Sequence, residues 1–158
     1  TDVAIRLDPP FDKRNTLEWH QDSSYFRQND SGRNGIVLWT PINKLTKKHG
    51  FLEFLDQSHK LGPLNISKQK AKGKFHSSKR TISEEKLRKF KNKMSFDLKL
   101  GDALLMNLDV VHRSGNNISE QFRMSLLGRF HNMIKDDFNS GLSIYKYSNK
   151  KLQKEVHG

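Results

Sequence analysis

The chain has 158 residues, 34% of them hydrophobic and 29% charged, with a formal net charge of +12 and no cysteine. That length fits one domain with a core of its own. The missing thiols exclude disulfides and thiolate metal sites, so any metal must be held by His, Asp, Glu or carbonyl ligands. No apolar run is long enough to span a membrane as a helix, and no signal peptide is visible. The expected location is the cytoplasm. The charge is concentrated: Lys60 to Lys93 carries 12 Lys/Arg against Glu84 and Glu85, a net +10. These cations are mostly Lys with few aromatics among them, so a solvated loop is favoured over a nucleic-acid surface. The chain begins with Thr, and the expectation is a single domain, 1–158, that lacks N-terminal elements.

In chain order, Val3 to Leu7 alternates as a short strand, ended by Asp8-Pro9-Pro10 because proline cannot donate to a ladder. Leu17 to Ser24 reads as a second strand. Gln28 to Asn34 has turn chemistry, and Gly35 to Ile42 is rich in β-branched and aromatic residues, as a buried strand requires. Phe51 to Leu55 is a further strand. Gly62 to Arg80 has no periodicity and reads as a long loop. Ser83-Glu84-Glu85 starts a helix expected to run to Met94, so residues 62–94 form a basic loop-plus-helix insertion. Phe96 to Leu98 and Phe122 to Phe130 are strands, Ala103 to Val111 is a strand or strand pair ending at His112, and Leu142 to Tyr147 is a short edge strand. Many short strands separated by turns, with one or two peripheral helices, predict an all-β sandwich or barrel.

Glu18-Trp19-His20-Gln21-Asp22-Ser23 holds the first chemical signal. On a strand, His20 and Asp22 project to one face and Trp19 and Gln21 to the other. An imidazole and a carboxylate so placed can share a metal, and Val111-His112-Arg113-Ser114-Gly115 is the best supplier of a third ligand. Two His and one carboxylate with open positions is the pattern of non-heme Fe(II) oxygenases. A lone His-x-Asp is common by chance, so the weight rests on its partners further along the chain.

His20-x-Asp22, Trp39, Ser58-His59-Lys60, Gly101-Asp102, His112-Arg113-Ser114-Gly115-x-Asn117 and Arg123-x-Ser125 occur in series. In this order they resemble the phytanoyl-CoA dioxygenase family of Fe(II)- and 2-oxoglutarate-dependent oxygenases, over residues 1–132. The resemblance implies a double-stranded β-helix (a cupin-like jelly roll). It implies His20, Asp22 and His112 as iron ligands and Arg123 as the anchor for the distal carboxylate of 2-oxoglutarate. That role suits a permanently charged fork of donors. Ser114 and Trp39 match cosubstrate contacts, although packing explains Trp39 equally well. Ser125 shares the strand face of Arg123. His59 and His131 read as structural; His49, His76 and His157 have no assigned role. Iron halogenases similar to this family lack the carboxylate, so Asp22 implies hydroxylation.

The implied activity is hydroxylation of an unactivated carbon in a small molecule, using O2 and 2-oxoglutarate and releasing succinate and CO2. The basic insertion would lie over the site as a lid and attract an anionic substrate such as a phosphate or CoA ester. A non-catalytic jelly-roll binding protein, a truncated homologue and a basic nucleic-acid-binding protein are the alternatives.

Overall fold

In a computed structural model the chain is described over residues 2–14, 16–25, 35–69, 79–88, 90–131, 144–148 and 151–155. Strand β1 (Asp2–Asp8) is followed by a 3-10 turn, Asp22–Ser24, and by β2 (Gly35–Pro41). Next come β3 (Leu52–Leu55), β4 (Ile66–Gln69), β5 (Lys79–Ile82), helix α1 (Glu84–Leu87), β6 (Lys93–Ser95), β7 (Leu104–Asn107), β8 (His112–Ser114) and β9 (Arg123–His131). A hairpin of β10 (Ile144–Ser148) and β11 (Lys151–Glu155) ends the described chain.

Two antiparallel sheets carry the architecture, one ordered β1-β9-β2-β7 and the other β6-β3-β8. The alternation in β2 decides its two faces: Gly35, Val37, Trp39 and Pro41 are buried, and the residues between them are not. Val37, Trp39 and Met106 from the four-stranded sheet pack with Leu45, Leu52, Phe54 and Leu108 as the main core. Trp19, Leu55, Ile82 and Val111 make a second cluster. The fold is the expected strand-dominated jelly roll. On the far side of the four-stranded sheet, Val3, Ile5, Leu7, Ile36, Leu105 and Phe130 remain exposed.

Several local expectations are corrected. Leu17 to Ser24 is not a strand: only His20 makes a ladder contact, an isolated bridge to His112, and Asp22 then opens a 3-10 turn. The chain turns there because the Ser24 and Tyr25 amides donate to the carbonyls of Gln21 and Asp22. The expected helix stops after one turn, and Lys93–Ser95 pairs instead with β3. Leu87 and Phe90 fit helical spacing, but both pack against the second core cluster, Leu87 from the end of the turn and Phe90 from irregular backbone. Phe96 to Leu98 has no regular structure, and the strand sits just before it. Inside the supposed loop 62–80, β4 pairs with β5 as a two-stranded ribbon. The stretch from Ala103 to Val111, read as a strand or strand pair, holds β7 and then a turn at Leu108–Asp109, and β8 begins at His112. The turn predicted at 28–34 lies outside the described residues, as do His76 and His157.

Phe54 joins the core to the site, since its ring also stacks on His112 with centroids 6.2 Å apart. Phe54→Ala is expected to cost about 3–5 kcal/mol, as truncating a buried aromatic does, read from the shift of the urea unfolding midpoint.

Candidate active site

The bridge between His20 and His112 is reciprocal: each amide donates to the other's carbonyl at 3.0 Å. The pairing places the two imidazoles against each other, with ring centroids 4.3 Å apart. His20 Nδ1 lies 2.7 Å from the Glu18 carbonyl and His112 Nδ1 lies 2.9 Å from the Val110 carbonyl. A carbonyl only accepts, so Nδ1 carries the proton on both rings and each Nε2 presents a lone pair.

Those lone pairs meet a third. Asp22 Oδ1 stands 3.4 Å from His20 Nε2 and 3.9 Å from His112 Nε2, and all three residues are buried. His20 Nε2 has no hydrogen-bond partner. Three electron pairs turned on one point in a buried place require a cation. Ligand atoms about 2.1 Å from an ion and at right angles to each other stand about 3 Å apart, near what is found. The residues therefore fit one divalent metal on one side, with the remaining positions facing a cavity.

Burial pushes the Asp22 carboxyl up, but His20, His112 and Arg129 outweigh it and hold the group below the usual carboxylate range. Arg129 Nε donates to the other carboxylate oxygen, Oδ2, at 2.9 Å, and so leaves Oδ1 for the metal. Burial, and then the neighbouring His20, lower His112 from 6.5 to about 4, against the opposing pull of Asp22. The imidazole is thus neutral and ready to ligate at physiological pH.

The cavity beside the triad is lined in part by Trp39, Ser114 and Arg123, so the structure brings these three predicted residues to the metal ligands. Ser125 shares Arg123's face but is fully buried between its register partners Arg6 and Pro41. Trp39 belongs to the main core and lines the cavity as well. Arg123 is engaged. Its Nε and Nη2 donate to Asp8 Oδ2 at 3.0 and 2.9 Å, and its Nη1 donates to the carbonyls of Gly50, Gly115 (3.0 Å) and His49 (3.3 Å). Gly50, at φ 73°, and Gly115 allow this approach: a Cβ on Gly115 would meet the Phe51 carbonyl at 2.5 Å.

Sequence reasoning missed four residues. Arg6, Asp8 and Arg129 also line the cavity. Arg129 was findable, since it follows Arg123, Ser125 and Leu127 at alternate positions of β9. Gln21, expected on the opposite face, is buried as a brace: Nε2 donates to the carbonyls of Gly62 and Asp109, and Oε1 accepts from the Leu64 amide. His49 is buried beside Thr46 at its turn, and His59 is exposed in the 3-10 turn Ser58–Leu61.

Fold and site together define a jelly-roll protein built around a buried cluster of two histidines and one carboxylate that could hold a metal ion. The sequence profile of phytanoyl-CoA dioxygenase (PhyH) matches residues 7–125, and the chain belongs to that family. Fe(II) and 2-oxoglutarate are accordingly its metal and cosubstrate. No curated protein sequence matches the chain. Among solved structures it is similar to the non-heme monooxygenase ThoJ, at 17% identity and TM-score 0.61 over 82% of this chain and 44% of that one. It is similar also to the non-heme α-ketoglutarate-dependent epimerase SnoN from nogalamycin biosynthesis (18%, TM-score 0.61, 82% and 47%). A third is EvdO2 from Micromonospora carbonacea var. aurantiaca, in complex with 2-oxoglutarate (20%, TM-score 0.58, 82% and 51%). The chain spans about half the length of these proteins. No helix among the described residues is long and apolar enough to cross a membrane.

One pH dependence arises from His112. Below pH 6.5 the unfolded chain takes up a proton on this imidazole, and the metal-free fold does not until about pH 4. Stability therefore falls with pH across that window and levels off beneath it, by roughly 3 kcal/mol in all at about 1.4 kcal/mol per pH unit. Thermal melts of the metal-free protein from pH 7 to 4 are expected to show this fall, flattened in His112→Asn.

Proposed function

We propose that this chain is the catalytic core of an Fe(II)- and 2-oxoglutarate-dependent dioxygenase that hydroxylates an unactivated carbon of a small molecule. O2 and 2-oxoglutarate are consumed, and succinate and CO2 released. The reading is carried by the three lone pairs of His20, Asp22 and His112 turned on one buried point. They would hold the iron, and Arg129 would keep Asp22 ionised and correctly turned. Bound iron and cosubstrate supply the oxidising chemistry. Arg123 would bind the distal carboxylate, with Ser114 and Trp39 beside it and Ser125 supporting its strand. Trp39, Leu52, Met106 and Leu127 give the cavity apolar walls that exclude water. Asp22 fills the coordination position that a halide would need, which favours hydroxylation over halogenation.

The substrate reading is a small anionic molecule. It rests on the net +10 of residues 60–93 and on Arg80, which stacks on Tyr25, the neighbour of His20. The Arg80 guanidinium lies 4.8 Å over the Tyr25 ring, and Tyr25 meets His20 edge-on at 5.9 Å. Arg80 Nη1 is buried without a hydrogen-bond partner. The insertion at 62–94 would serve as the lid; of its Lys residues, Lys70, Lys72, Lys74 and Lys89 lie outside the described residues.

The test is an anaerobic titration of Fe(II) and 2-oxoglutarate into the purified chain. A weak visible metal-to-ligand charge-transfer band is expected, absent in His112→Ala and weakened in Arg123→Lys, which keeps the charge and loses the fork. Folded protein that gives no band would leave a non-catalytic binding protein or a truncated homologue in its place. Once turnover of an anionic substrate is established, replacing Lys68, Lys70, Lys72 and Lys74 by Ala is expected to raise KM and flatten its salt dependence. An unchanged KM would remove the anionic reading.

A further inference from the structure

Resting on the cosubstrate reading above, we propose that Asp8 is a built-in competitor of 2-oxoglutarate. Its carboxylate occupies the edge of Arg123 that the cosubstrate's distal carboxylate needs, so binding is an exchange of one carboxylate for another. Asp8 thereby sets the affinity for the cosubstrate.

The register of the sheet puts it there. β1 pairs with β9 so that Asp8 faces Arg123 and Arg6 faces Ser125, with all four on the cavity side. Asp8 is nearly fully buried, and its Oδ2 takes both Nε and Nη2 of Arg123, the two donors of one guanidinium edge. That edge is the one best suited to a carboxylate. The cavity is about 20 Å³, room for a single water. A five-carbon dicarboxylate can enter only if a side chain gives way.

Asp8 is the side chain free to do so. Arg123 is held at its other end, since Nη1 donates to the carbonyls of His49, Gly50 and Gly115, backbone that cannot follow it outward. Asp8 has a second cation to fall back on: Arg6 Nε lies 2.9 and 3.0 Å from its two oxygens. Retreating onto Arg6 keeps the Asp8 charge paired and releases the Arg123 edge. The charges agree. Arg6, Arg123 and Arg129 face Asp8 and Asp22 around the cavity, one net positive charge. Iron and a dianionic cosubstrate together add none, so the exchange leaves the balance as it was.

The experiment compares wild type with Asp8→Asn, titrating the Fe(II)-loaded proteins anaerobically with 2-oxoglutarate and, separately, with 2-oxovalerate, which lacks the distal carboxylate. Binding is read from the visible band and by calorimetry, with no turnover. Asp8→Asn is expected to tighten 2-oxoglutarate at least about tenfold, or 1.4 kcal/mol, with 2-oxovalerate and Fe(II) affinities unchanged. A side chain that merely braced Arg123 would give the opposite sign. If Asp8→Asn does not fold, the charge-balanced Arg6→Gln/Asp8→Asn protein carries the same expectation. Unchanged or weaker 2-oxoglutarate binding, in a variant whose parent binds it, overturns the proposal and leaves the enzyme reading intact. If the parent binds iron but neither 2-oxo acid, the enzyme reading fails and this inference with it.

Discussion

The reciprocal pair of backbone hydrogen bonds between His20 and His112 is the constraint on which the site depends. It joins a segment otherwise held by single backbone bonds, from the Ser114 amide to Leu17 and the Ile82 amide to Trp19, to the start of β8, and fixes two histidines 92 residues apart in sequence at one ring-to-ring distance. The surroundings hold that pair in place. Gln21 ties the segment to Gly62, Leu64 and Asp109, and Ser58 accepts from the Val111 amide just before His112. Phe54 stacks behind His112. The backbone sets where the rings are, and the carbonyls of Glu18 and Val110 set which nitrogen each ring presents.

The sequence was most legible where one periodicity ran unopposed. β2 alternates in burial over its seven residues and β9 over its first four, and both were placed within a residue or so of their observed ends. The segment around His20 was misread because a two-residue alternation of His and Asp looks the same on a strand as on a strand end that breaks into a 3-10 turn. His20 and Asp22 come together with His112 either way. The helix was overextended because Leu87, Phe90 and Met94 fit helical spacing, yet Met94 serves β6 beside Phe54. The β4–β5 ribbon had no signal, since its apolar anchors are few and polar residues fill the rest. Asp8 was passed over as a strand terminator beside two prolines; nothing local marks it as the partner of an arginine 115 residues away.

Electrostatically the cavity is unusual in holding no idle charge. Asp22 is shared between the metal position and Arg129, and Asp8 between Arg6 and Arg123. Buried ions are tolerated only when paired, and pairing of this density limits how any one of them can be replaced. The cation that the triad calls for is the exception, and it must come from outside the chain.

The ion pair of Asp8 with Arg123 also closes the four-stranded sheet at its edge, joining β1 to β9 across 115 residues. Among the described strands β1 pairs only with β9, so this pairing cannot form until β9 has been made, while Val3, Ile5 and Leu7 offer water an apolar face. Assembly of this sheet is therefore a late, non-local event, slow by its topology and exposed to aggregation while it waits. The same pairing that sets Asp8 against Arg123 ties β1 to a partner 115 residues further along the chain, so early synthesis alone cannot settle it.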